Sequence, residues 1–251
     1  MPKPAPNDDL PFKLPRVTAS QRARTAELLA ALAAHYPDAH CELNFTSPHE
    51  LLVATILSAQ ATDAGVNRVT PALFAKFPTP EAYTRATVAD IEACIRSIGL
   101  FRNKARAIHA AMTTIVERFD GQVPRTMDEL LTLRGVARKT AGVVLGNAFA
   151  RNDAFVVDTH VHRLAQRLGL AKLGTNVTQV ERTLMALVPR EQWCIAGHRL
   201  IFHGRRACKA RPPGGACADH PICAQFGHAC ELRVSAPRKK TPNPRSKQTP
   251  N

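Results

Sequence analysis

Between about residue 20 and residue 207, apolar positions recur every three or four residues in block after block, the spacing of helices with a buried face. QRARTAELLAALAAHY opens near Ser20 and stops before Pro37. Ser47-Pro48-His49-Glu50 is a helix start: serine caps, proline occupies the first turn, and glutamate closes a capping box. The LLVATILSA that follows is apolar on nearly every side, which predicts a buried helix. Thr126-Met127-Asp128-Glu129 reads as a second capping box, opening a short helix that ends at Leu133. After Gly135, RKTAGVVLGNAFA predicts another largely buried helix. No alternating run is long enough for a sheet, so the predicted fold is all-α.

Proline marks both ends, with five of the nineteen in residues 1–16 and four in 235–251. Residues 1–16 are expected to be an unstructured tail. Residues 233–251 are expected to be a second, basic one, able to add salt-sensitive phosphate attraction or simply solubility. The 34 Lys and Arg against 20 Asp and Glu give a net charge of +14, which favours a polyanionic partner. An apolar fraction of 45% excludes a wholly disordered chain. No apolar run approaches the roughly 18–20 residues that span a bilayer, so no membrane role is expected. The N-terminus lacks the apolar core of a secretory signal, which predicts a cytoplasmic protein. Of seven cysteines, four lie between 208 and 230. Without a secretory signal, such clustering favours metal over disulfides.

Three places carry chemistry. The helix pair around Arg134-Gly135-Val136-Ala137 forms a helix–hairpin–helix pattern. It reads either as a phosphate site built from backbone N–H groups, with Arg134 and Arg138 adding charge, or as an ordinary helical hairpin. Lys139 falls in the first turn of the second helix, where a cation is electrostatically disfavoured and the free amine is the better nucleophile. A plain phosphate contact is the other reading of that lysine. Asp158, between the apolar AFVV and THVHRLAQRL, is a helix N-cap whose fixed carboxylate also suits stabilising a sugar cation or handling protons.

Together, LRGVARKTA followed by VVDTH, LNFTSPHELLVATILSAQATD upstream, and HGRRAC before the cysteines resemble the endonuclease III family. These are base-excision DNA glycosylases of the helix–hairpin–helix superfamily. The resemblance runs in order from about residue 20 to 230 and implies a bilobal fold. A six-helix domain would span 41–151, and an iron–sulfur cluster domain would combine 17–40 with 152–232. It also implies a bifunctional glycosylase and AP lyase, acting as a monomer in the bacterial nucleoid on duplex DNA with an oxidised pyrimidine or an abasic site. The base is flipped out, Lys139 attacks C1′ to give a Schiff base, and β-elimination cuts the strand, with Asp158 helping to deprotonate the lysine. Gln60 would fill the gap left by the base, and Leu100 would wedge into the stack. Without the resemblance, Leu100 reads as core and Gln60 as an exposed helix end. Asp63 and His160 match positions near the pocket. Arg102, Lys104 and Arg106 read as phosphate contacts or as a solvated helix face.

The chain departs from the family pattern in three places. Arg134 stands where the family has proline, and Ala137 where it has a second hairpin glycine. The loss of that glycine is expected to limit positive φ and to crowd an approaching phosphate. The spacing Cys208-x8-Cys217-x5-Cys223-x6-Cys230 is also irregular. The expected set is all four thiolates on a [4Fe–4S] cluster, with His220 as a replacement ligand and zinc or a three-cysteine site as alternatives. Such a site would hold a loop with Arg205, Arg206, Lys209 and Arg211 toward DNA. A monofunctional relative and a catalytically silent DNA-binding scaffold are the competing functional readings. Lys139 weighs against the first, and Lys139 with Asp158 against the second.

Overall fold

A computed structural model describes residues 10–210 and 220–227. Within them the backbone is helical and contains no strand. In chain order the helices are α1 (Ala19–His35), α2 (Pro48–Ser58), α3 (Asp63–Lys76), α4 (Pro80–Arg85), α5 (Val88–Ile95) and α6 (Phe101–Phe119). They continue with α7 (Met127–Leu131), α8 (Arg138–Ala148), α9 (Thr159–Arg167), α10 (Val177–Leu187), α11 (Trp193–Arg206) and α12 (Pro221–Phe226). A 3-10 turn, Arg190–Gln192, leads into α11.

Two hydrophobic cores organise these helices. One takes its buried residues from Leu43 to Leu145 and centres on α2, where every residue from Leu51 to Leu57 is buried. Each large apolar side chain sealed there contributes on the order of 1.5–3 kcal/mol, which holds α2 rigidly between its neighbours α3, α6 and α8. The second core joins Leu28 and Leu32 of α1 to residues from Phe155 to Phe226, with Trp193 at its centre. The N-terminal helix thus packs with the C-terminal third of the chain. The indole of Trp193 donates to the Val188 carbonyl at 2.9 Å, satisfying a polar atom that the core would otherwise strand.

The caps differ in detail from the sequence patterns. Ser47 accepts from the Glu50 amide at 3.4 Å, but the Glu50 carboxylate reaches one residue further back, to Thr46 Oγ1 at 2.8 Å and to the Thr46 amide. At Thr126 the Glu129 carboxylate takes the Thr126 hydroxyl at 2.6 Å in place of the cap's backbone N–H. Reciprocal boxes form instead at Thr18 with Gln21 and at Thr87 with Asp90. The short helix α7 ends at Leu131, two residues before the expected Leu133.

The two cores meet along a cleft. Helix α8 of the first touches α11 of the second, and the approach is close at Gly146. A Cβ there would lie 2.9 Å from Cys194 Sγ, so only glycine fits. Arg138 of α8 bridges to Glu181 of α10 at 2.8 Å, and Arg205 of α11 reaches back to Glu42 and to Asp63, the latter at 2.7 Å.

Candidate active site

The cleft between the cores has a volume of about 960 Å³, and Lys139, Asp158, Gln60, Asp63 and His160 all line it. Five residues separated by up to a hundred positions in the chain thus share one wall system. Lys139 is the second residue of α8 and is exposed. Asp158 caps α9, with Oδ1 accepting from the Val161 amide at 2.7 Å, which fixes the carboxylate's direction. No hydrogen bond or ion pair joins Asp158 to Lys139 among the described residues, so the amine is not tied up in a salt bridge. The site is therefore a nucleophile-type amine and an oriented carboxylate lining one pocket.

The hairpin immediately precedes Lys139 in the chain. Gly135 has φ +82°, and a Cβ on it would meet Ala107 Cβ at 2.8 Å, so both conformation and space demand glycine. Ala137 has φ −97° and ψ 170°, an ordinary extended conformation. The expectation that its Cβ costs conformational freedom is therefore corrected: Ala137 needs no positive φ. It offers α8 no side-chain cap, which leaves the first-turn N–H groups directed outward. Val136 is buried and anchors the turn, while Arg134 is exposed. Arg138 departs from expectation. Its guanidinium is paired with Glu181 and stacks 5.1 Å from the Phe12 ring, so it braces the two cores rather than lying free at the hairpin.

Gln60 and Leu100 share an unusual feature. Both are non-glycine residues in the left-handed region, at φ 56° and φ 59°. Such residues store strain of roughly 1–3 kcal/mol and persist where function requires the geometry. Leu100 is 55% exposed, which excludes the core reading. Lys104, the fourth residue of α6, is buried; its amide donates to the Leu100 carbonyl at 3.1 Å and its Nζ to the Leu57 carbonyl at 2.8 Å. Burial also pulls its pKa down. Lys104 is thus a strut between the end of α2 and the start of α6, and the expectation of a phosphate contact there is overturned. Arg106 is turned onto Asn103 at 2.7 Å, and Arg102 lies over Phe101. Arg205 is likewise committed to Glu42 and Asp63, and Arg206 to Asp38 at 3.1 Å, so neither forms the expected free basic loop.

These features match a known architecture. Residues 53–190 match the HhH-GPD superfamily of base excision DNA repair proteins. The chain is 49% identical over 215 residues to endonuclease III of Synechocystis, covering 86% of this chain and 95% of that one. It is 41% identical over 203 residues to endonuclease III of Escherichia coli K12, covering 80% and 95%. A solved endonuclease III–DNA covalent intermediate superposes with a TM-score of 0.79 at 44% identity, covering 87% of this chain and all of that one. The chain belongs to the endonuclease III family. It is a DNA glycosylase and AP lyase of base excision repair. The fold extends to a thermostable thymine-DNA glycosylase at 21% identity, with a TM-score of 0.73.

In this chain the cysteine region is partly described. Cys217, Cys230 and Arg211 lie outside the described residues. Cys208 and Cys223 are both buried. Arg167, itself buried, donates to Cys208 Sγ at 3.1 Å and to the Lys209 carbonyl at 2.8 Å. Arg163 donates to the Gly204 and Cys208 carbonyls at 3.1 and 2.9 Å. Neither arginine forms a carboxylate ion pair among the described residues. A buried cation needs a counter-charge, and metal-bound thiolates supply one, so the donor chemistry fits an anionic metal centre. His203 Nε2 lies 3.4 Å from Cys223 Sγ, and His203, His220 and Cys223 bring ligand atoms within 4.8 Å of one another. His203 stands in the HGRRAC segment but carried no signal of its own, and neither did Arg163 or Arg167. Their roles depend on contacts 20 to 45 residues away.

Proposed function

We propose that this endonuclease III excises oxidised pyrimidines from duplex DNA as a monomer acting on the bacterial nucleoid, with Lys139 as nucleophile and Asp158 as its proton partner. The observation that carries the assignment is that an exposed lysine and an oriented, unpaired carboxylate line one pocket beside an uncapped helix. The hairpin N–H groups of Gly135 and Ala137 take a phosphate, and Arg134 adds a charge contact in place of the family proline. Leu100 enters the stack and Gln60 fills the vacated position, offsetting part of the unstacking cost. Asp63 and His160 line the lesion pocket.

The neutral Lys139 amine attacks C1′, the C1′–N bond breaks, and the base leaves with its electron pair and takes up a proton. The attached nitrogen gives up one proton, its lone pair forms the C1′=N bond, and the C1′–O4′ bond breaks with its electrons on O4′, which takes up a proton, leaving the protonated Schiff base. Removal of a C2′ proton then expels the 3′ phosphate by β-elimination. Asp158 accepts the lysine proton and stabilises positive charge developing at the sugar. Cys208, Cys217, Cys223 and Cys230 would hold a [4Fe–4S] cluster, which would supply a structural cross-link.

Single-turnover cleavage of an abasic duplex tests the roles. Lys139→Gln should lose cleavage by at least a thousandfold while still binding the duplex. Retained cleavage would reassign the nucleophile.

A further inference from the structure

Helix α8 turns Lys139, Val143 and Asn147 into the cleft at i, i+4 and i+8. At about 1.5 Å per residue, Asn147 lies about 12 Å along the axis from Lys139, away from the hairpin. Its amide orientation is settled locally. Nδ2 donates to the Val143 carbonyl at 2.8 Å, so the atom facing His198 Nε2 at 2.7 Å is the acceptor Oδ1. The reversed amide would set two oxygens against each other. His198 Nε2 therefore carries the proton, and Nδ1 carries a lone pair. That Nδ1 takes no hydrogen bond from any described residue and is not sealed from the cleft that His198 lines. Burial, helped by His40 and Arg205, pushes the His198 pKa down to about 4, so the ring is neutral near physiological pH.

A fixed acceptor on a residue that lines the pocket has an obvious complement. Every pyrimidine carries an N–H donor on its pairing edge, either the ring imide or an exocyclic amine. Resting on the reading of this cleft as the lesion pocket, we propose that His198, oriented by Asn147, is a base-binding residue that accepts an N–H from the pairing edge of the extruded base. A histidine that only tied α8 to α11 would need the Nε2 bond alone. An acceptor for the base acts on excision and has nothing to read at an abasic site.

The test compares two single-turnover rates on the full chain: release of 5-hydroxyuracil, and cleavage at an abasic site in the same duplex. His198→Leu, close in volume but without an acceptor, should lower the excision-to-cleavage ratio about tenfold. His198→Gln, whose amide oxygen can replace Nδ1, should recover most of it. An unchanged ratio in His198→Leu would overturn the proposal. So would equal losses in the two variants, or excision and cleavage falling together, which marks a purely structural role. Cleavage by the unaltered chain reports the lysine chemistry separately, so its absence would sink the parent reading instead.

Discussion

At Gly135, Leu100 and Gln60 the backbone leaves the helical basin, at φ 82°, 59° and 56°. Gly135 is required twice over, by φ +82° and by a 2.8 Å approach to Ala107. Gly135→Ala should lower stability by about 1–3 kcal/mol and open the hairpin, read as a fall in thermal midpoint together with weaker DNA binding. Leu100 is the opposite case. A left-handed, exposed leucine costs the fold, so Leu100→Asn should raise the midpoint slightly, by about 0.5–1 kcal/mol, while weakening binding to lesion duplex several-fold. A loss of stability would show that Leu100 contributes packing and not a wedge. The sequence alone suggested Leu100 as core because an apolar residue beside a helix start usually is. Positive φ leaves no mark in residue identity, whereas the Gly135 turn was readable because glycine announces it.

Among the elements, α2 was legible from its unbroken apolar run and α9 from its Asp158 cap, because both signals are local. The strut between α2 and α6 was not. Lys104 sits in a basic Arg-x-Lys-x-Arg stretch that reads as a solvated face, and only the fold reveals its bond to Leu57, 47 residues away. Lys104→Met removes the donor from the Leu57 carbonyl and should cost about 1–3 kcal/mol. With a lowered pKa, Lys104 binds its proton less readily in the folded chain than in the unfolded one. Its burial penalty is therefore full below the folded pKa and is relieved as pH rises through it, so the protein should gain stability over that alkaline window, and Lys104→Met should lose the gain. Unfolding in denaturant across that pH range checks both.

Over the whole molecule, the all-helical fold class was readable from the helical spacing and the order of motifs. The wiring across the cleft was not, since ion-pair partners such as Glu42 and Arg205 lie 163 residues apart. Arg205 reads from sequence as a DNA contact, yet it pairs with two carboxylates that line the cleft. Arg205→Gln should weaken duplex binding roughly tenfold by leaving Glu42 and Asp63 to repel phosphate, and adding Glu42→Gln and Asp63→Asn should restore it. A direct phosphate contact would not be restored.

The central claim is that Lys139 forms the covalent link to DNA within this cleft, and borohydride trapping on an abasic duplex tests it most directly. The account predicts an adduct in high yield with the unaltered chain, mapped to the peptide containing Lys139. It predicts no adduct with Lys139→Ala and slower adduct formation with Asp158→Asn. An adduct of undiminished yield in Lys139→Ala, or one mapped to another amine, would contradict it.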